Sequence, residues 1–357
     1  MRILFISLGC DKNLVDSEEM LYLLREKGYE ITDDEENADI IVVNTCCFIH
    51  DAKEESIDTI LEMGKYRLSG KVKALIVTGC LAQRYREEIL KEIPEVDAVL
   101  GTASYDDILE AVEKTLKGEK YLSFRPTDRL VDTGGGRIIT TGGAYEYLRI
   151  AEGCAKHCTY CVIPKVRGGY RSIPMERLLD TARQMVGEGV KELIVIAQET
   201  TLYGTDLYGK KSLHILLEKL CRIEGLVWIR LLYCYPEEIY PELVDTIARE
   251  PKICHYLDLP IQHCSDSILK RMGRKTTKAD LERIITEIRE RIPDMVIRTT
   301  LITGFPGETK EDHEELMQFV ADMAFDRLGV FTYSPEEDTP AAAMENQVPE
   351  EVKEQRK

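Results

Sequence analysis

The sequence predicts an α/β fold in two parts, an open parallel sheet flanked by helices followed by a partial barrel of six β/α units. Three observations predict it. Short β-branched runs alternate with amphipathic stretches along most of the 357 residues. A glycine-rich break, Gly134-Gly135-Gly136 and then Gly142-Gly143, divides the alternation. Beyond the break the repeat lengthens to roughly thirty to forty-five residues, which suits an open barrel better than a closed eight-fold one.

The first domain is expected over residues 1–118, as a Rossmann- or flavodoxin-like sheet. Its strands are read at 2–8, 39–44, 74–78 and 98–101, each a run rich in Ile, Val or Leu. Helical stretches at 17–27 and 52–67 separate them. Residues 119–143 read as a linker. A TIM-like (βα)6 partial barrel is expected over 144–334, with strands at 147–151, 192–197, 227–232, 256–260, 295–302 and 327–332. Helices at 175–187, 213–223 and 278–291 lie between strands. Residues 335–357 turn polar and read as an exit linker.

The composition bounds the function. Hydrophobic residues make up 44% and charged residues 31%, the balance of a folded globular chain. No apolar run approaches the length of a membrane span. The run from Met1 to Leu8 stops at Gly9-Cys10 and lacks the basic start of a signal peptide, so it is a buried first strand. A cytoplasmic protein is expected. A net charge of −17 disfavours a nucleic-acid grip and favours a basic macromolecular partner or simple solubility.

Eleven cysteines, an odd number without an export signal, point to metal more than to disulfides. Cys10, Cys46 and Cys80 each follow a strand directly, in FISLGC, IIVVNTC and LIVTGC. Parallel sheets gather ligands at the carboxyl ends of their strands, so the topology delivers three distant thiols to one place. Three thiolates suit an iron–sulfur cubane with one open iron, whereas zinc usually asks for a fourth protein ligand. The alternative is three ordinary buried cysteines. Cys47 adjoins Cys46 and should point the other way.

The second constellation is CxxxCxxC: Cys154, Cys158 and Cys161, just after the first barrel strand, with Gly153 allowing the sharp turn. A zinc loop is the competing reading. The spacing, with the aromatic Tyr160 before the last cysteine, resembles the radical S-adenosylmethionine superfamily. That resemblance implies a 4Fe–4S cluster whose open iron chelates S-adenosylmethionine and cleaves it to a 5′-deoxyadenosyl radical.

Longer stretches narrow the resemblance. SLGCDKNLVDSE (7–18), NTCCFIHDAKEESIDTI (44–60), AEGCAKHCTYCVIPKVRG (151–168) and LPIQHCSD (259–266) are similar to the methylthiotransferases. Within them the texture favours the branch that modifies a ribosomal protein over the branch acting on transfer RNA. Cys47 stands where that branch usually has a small residue. The family's carboxyl-terminal TRAM module is expected to lie beyond this sequence.

The resemblance implies that Cys154, Cys158 and Cys161 hold the radical-generating 4Fe–4S cluster, and that Cys10, Cys46 and Cys80 hold an auxiliary 4Fe–4S cluster carrying the sulfur. S-adenosyl-L-methionine is the cosubstrate, supplying methyl group and radical. Its implied contacts are Tyr160 beside the adenine, Gln198 and Glu199 at the amino group, Thr303 and Gly304 (with Gly307) by the adenine, and Arg230 at the carboxylate or ribose. Arg230 has a structural ion pair as its competing role, and Glu308 and Thr309 have helix capping. The expected reaction is methylthiolation of the β-carbon of an aspartate in the twelfth small-subunit ribosomal protein, by a monomer served by an electron donor and a sulfur source. Methylthiolation of a modified adenosine in transfer RNA is the alternative. A non-catalytic iron–sulfur electron carrier is the alternative of another class, which two open three-cysteine sets disfavour. Cys221, Cys234, Cys254 and Cys264 show no ligand spacing.

Overall fold

Fully apolar β-branched runs become central strands because both faces of a parallel sheet are covered. The computed structural model, describing residues 1–357, shows this directly: β3 (Ile40–Thr45) and β4 (Ala74–Gly79) are buried at every position. The chain forms two compact units. The first comprises Met1–Gly142 with Ile163–Arg171, and the second Gly143–Val162 with Ser172–Lys357.

The first unit is a six-stranded, all-parallel sheet. Its strands are β1 (Arg2–Ser7), β2 (Glu30–Thr32), β3, β4, β5 (Ala98–Leu100) and β6 (Tyr121–Ser123), in the order β2-β1-β3-β4-β5-β6. The first five follow the 2-1-3-4-5 order of doubly wound folds, so the topological switch lies between β1 and β3. The pairing Ser7↔Asn44↔Thr78 brings β1, β3 and β4 to an end on one level. Apolar side chains fill both faces, with Ile41, Val43, Leu75 and Val77 on one and Ile40, Val42, Ala74 and Ile76 on the other.

Two features depart from the sequence reading. Residues 119–143 are not wholly a linker: β6 pairs with β5, and residues 137–140 are tied to Glu18, which accepts from Thr140 N at 2.8 Å and Arg137 Nε at 3.1 Å. The other is β2, which was not read as a strand; β2 and β6 are edge strands of three pairing residues each, too few to set a periodicity.

The second unit is an open sheet of six parallel strands in sequential order: Tyr145–Arg149, Glu192–Ile196, Trp228–Leu231, Ile253–Asp258, Val296–Thr303 and Arg327–Thr332. The partial barrel is as expected. Val296–Thr303 alternates half-buried and buried positions along its length. Capping boxes at Thr277/Asp280 and Thr309/Asp312 start the helices Lys278–Arg291 and Lys310–Met323. Residues 335–357 do not simply leave the barrel. They form a 3-10 turn, Pro340–Ala343, and a helix, Glu350–Arg356, whose Lys353 is 3% exposed and donates to Tyr333 O at 2.9 Å. No helix is long and apolar enough to cross a membrane.

Candidate functional site

In the first unit the strand ends fix the three thiols. Gly9 and Gly79 precede Cys10 and Cys80 with φ of +89° and +94°. A Cβ on Gly79 would meet Thr45 O at 2.5 Å, and one on Gly9 would meet Cys46 Cβ at 2.7 Å. Glycine therefore lets the chain turn tightly against the neighbouring strand end just before each cysteine. Ser56 holds Cys46 from the other side, its hydroxyl accepting from Cys46 N at 3.0 Å and lying 2.9 Å from Cys46 O. Cys46 and Cys80 are each 6% exposed and Cys10 is exposed. Burial raises the Cys80 thiol well above its ordinary range, with Arg167 opposing and Cys47, Cys46 and Cys10 adding to the rise. Cys47 is fully buried in the apolar core with Ile60, Met63 and Leu81.

No three His, Cys, Asp or Glu side chains meet at single-ion spacing anywhere in the chain. A cubane spreads its thiolates over separate iron corners and asks for wider spacing than one ion does. An all-thiol set with no carboxylate among it, half sealed from water, fits such a cluster chemically.

In the second unit the loop from Gly153 to Cys161 is held by its backbone. Thr159 N donates to Met272 O at 2.9 Å, Thr159 Oγ1 donates to Arg271 O at 2.8 Å, and Thr159 O accepts from Ala341 N at 2.9 Å. Cys154 and Cys158 are buried and Cys161 half-buried, and burial lifts Cys154 to about 11. His157 is exposed. Tyr160 packs edge-on to Phe305 with ring centroids 6.3 Å apart.

Around that loop lie unmatched polar atoms. Glu199 is fully buried; its Oε1 accepts from Thr201 N at 3.0 Å while its Oε2 has no partner. Burial raises it to about 8, with Thr201 and Lys156 opposing the rise. Gln198 donates to Glu152 at 2.6 Å and leaves its own Oε1 unmatched. Arg274 stacks 4.4 Å over Tyr235 and donates to Glu237 at 3.3 Å and Pro260 O at 3.2 Å, yet its Nε and Nη1 are orphaned. Buried polar atoms without partners are uncommon. An orphan carboxylate oxygen and orphan guanidinium donors near one loop fit the ammonium and carboxylate of an amino-acid ligand.

Other candidates are placed differently. Arg230 pairs with Glu192 at 2.6 Å and lies over Tyr256, so it occupies the ion-pair role. Gly304 N donates to Glu308 at 2.7 Å, and Thr303 Oγ1 lies 3.4 Å from the same carboxylate. Thr309 caps its helix; Glu308 does not, but grips the turn before it. Arg167, Asn13 and Arg274 were not singled out from the sequence, and Glu308 was read only as a helix cap. The one signal was position: Arg167 lies in VIPKVRG, directly after the CxxxCxxC loop.

Comparison with known proteins decides the family. Residues 2–101 match the family model described as "Uncharacterized protein family UPF0004", and residues 148–320 match the Radical SAM superfamily. A "Ribosomal protein uS12 methylthiotransferase RimO" from Lachnoclostridium phytofermentans is 66% identical over 353 residues, covering 99% of this chain and 80% of that protein. The chain belongs to the RimO family of radical SAM methylthiotransferases.

A RimO from Clostridium tetani is 53% identical over 99% of this chain and 79% of its own length. The radical S-adenosylmethionine methyltransferase TsrM from Kitasatospora setae superposes with a TM-score of 0.66 at 16% identity, over 95% of this chain and 74% of that one. The cobalamin-dependent radical enzyme OxsB gives 0.63 at 13%, over 99% and 55%. At these identities the likeness is one of fold. As a radical SAM methylthiotransferase, this RimO-family chain uses S-adenosylmethionine and a 4Fe–4S cluster.

Proposed function

We propose that this chain methylthiolates the β-carbon of an aspartate in ribosomal protein uS12, with two 4Fe–4S clusters held by Cys154, Cys158 and Cys161 and by Cys10, Cys46 and Cys80. The observation that carries the substrate is the 66% identity, across 99% of the chain, to a protein named for that modification. When bound, the two clusters and S-adenosylmethionine supply the radical, sulfur and methyl chemistry that no side chain provides.

The residues of the chain position and shield. Glu199 Oε2 receives the ammonium of S-adenosylmethionine, and the unmatched Gln198 oxygen assists it. Arg274, cationic despite its burial because Tyr160, Glu237 and Tyr235 surround it, offers two free donors to the carboxylate. Tyr160, backed by Phe305, gives the adenine an apolar wall. Glu308 holds the Gly304–Phe305 turn rigid against that wall. The net charge of −17 favours approach of a basic ribosomal protein.

The test incubates the reconstituted chain anaerobically with S-adenosylmethionine, sulfide and reductant, with a uS12 loop peptide or with bulk transfer RNA. Mass spectrometry should find a methylthio gain on the peptide aspartate. A gain on adenosine instead would overturn the substrate and leave the cluster assignment standing.

A further inference from the structure

Arg167 sits where no composition rule would put it. It is 2% exposed in the first unit, and its guanidinium donates to Asp16 at 2.7 Å and to Asn13 Oδ1. Asn13 is itself fully buried and clasps the strand ends. Its amide donates to Leu8 O and to Thr45 O, both at 2.9 Å, and the Cys80 thiol lies 3.7 Å from its Oδ1. Leu8 stands two residues before Cys10 and Thr45 one before Cys46. One asparagine thus links all three cysteine-bearing strand ends to one buried cation.

Burying a guanidinium is costly unless its surroundings are anionic. Asp16 supplies one negative charge. A cubane on three thiolates is itself a net anion, and its reduction adds one further negative charge. The potential of such a cluster follows net charge, hydrogen bonding and exposure. A fixed cation beside it therefore favours the reduced state, and a fixed anion disfavours it.

We propose that Arg167, aimed by Asp16 and Asn13, is a positioning residue that sets the reduction potential of the auxiliary cluster. The inference rests on the assignment of Cys10, Cys46 and Cys80 as ligands of that cluster. As a cluster ligand Cys80 is a thiolate, and Asn13 Oδ1 keeps Arg167 as its donor. The relevant step is the uptake of one electron from a low-potential mediator by the cluster, with no bond made or broken. Arg167 belongs to the segment that begins two residues after Cys161, so one stretch of chain carries ligands of one cluster and the countercharge of the other.

The test uses the full chain with Cys154, Cys158 and Cys161 changed to Ala, so that only the auxiliary cluster remains. Iron is counted, and the midpoint is read by mediated redox titration with EPR detection. About four irons per chain are expected in this background; absence of iron overturns both the ligand assignment and this inference. Arg167→Gln should move the midpoint to more negative potential and Asp16→Asn to more positive. Arg167→Lys, which keeps the charge, should stay nearer the parent, and the double variant R167Q/D16N should return toward it. Opposite shifts from D16N and R167Q are something a purely structural contact does not produce. Midpoints that stay fixed, or that move the same way in both, refute the proposal while leaving the four-iron assignment intact. Should R167Q lose its iron, D16N decides: a positive shift supports the proposal and none overturns it.

Discussion

Glu308→Gln tests whether one carboxylate organises the turn next to the proposed adenine site. The side chain is fully buried. Its Oε2 accepts from Gly304 N at 2.7 Å and Phe305 N at 3.2 Å, and its Oε1 accepts from Arg356 Nη1 at 2.8 Å. Glutamine keeps the shape but removes the charge and turns an amide N–H₂ toward donors. A hydrogen bond to a charged group contributes ~1.5–3 kcal/mol, and breaking a buried ion pair costs ~3–5 kcal/mol. Arg356 is 13% exposed and can turn to water, so a cost between those two figures applies, about 2–4 kcal/mol. For a unit of this size each kcal/mol moves Tm by ~2–4 °C, so a drop of about 5–15 °C is expected at pH 7. Burial alone would raise the carboxyl; His263, the Phe305 N–H and Arg356 outweigh it and hold it below its ordinary value. Its stabilisation is then complete above the unfolded pKa and lost as pH falls through the folded one. Calorimetry at pH 7 and near pH 4 checks both points. In a double-mutant cycle with Arg356→Ala, a coupling of ~1–3 kcal/mol is expected. A variant melting within a degree of the parent at pH 7, or a gap that persists undiminished in acid, refutes the reasoning.

Three further outcomes follow from named contacts. Gly79→Ala places a methyl 2.5 Å from Thr45 O at a φ of +94°, and should destabilise the first unit by about 2–6 kcal/mol in urea titrations. Glu199, raised to about 8, is largely neutral at pH 7 until a cation arrives. Binding of S-adenosylmethionine should therefore release close to one proton, seen as a buffer-dependent heat in titration calorimetry and absent in Glu199→Gln. Cys47→Ala should cost about 1 kcal/mol of core packing and leave the iron content unchanged, while Cys46→Ala should lose about four irons.

The fold was legible wherever periodicity repeats. Two fully buried strands, the open six-stranded barrel and the placement of Cys10, Cys46 and Cys80 at strand ends could all be read from apolar runs and spacing. What escaped was polar. Arg167, Glu308 and Lys353 are charged residues in a chain where such residues are abundant, and nothing local separates a buried one from a solvated one. Their burial follows from partners far away in sequence: Asp16 for Arg167, Arg356 for Glu308 and the Tyr333 carbonyl for Lys353. The same cause hid the role of residues 335–357, whose polar composition reads as linker until Lys353 and Arg356 find acceptors.

The two cysteine sets differ in how they depend on folding. Cys154 to Cys161 lie within one loop, so three thiols are neighbours by chain connectivity, and the barrel supplies backing through Thr159. Cys10, Cys46 and Cys80 come to one sheet edge only after three β/α units have paired in register, with Ser7, Asn44 and Thr78 in one row. A site absent from the unfolded chain converts ligand affinity into folding free energy. Strain at the strand ends should therefore fall on the dispersed set first. Gly79→Ala, graded with urea, should release iron from the proposed first-unit site at lower denaturant than iron from the proposed loop site. Simultaneous loss of both would mean that the two sets share one cooperative transition, and that connectivity does not order their stability.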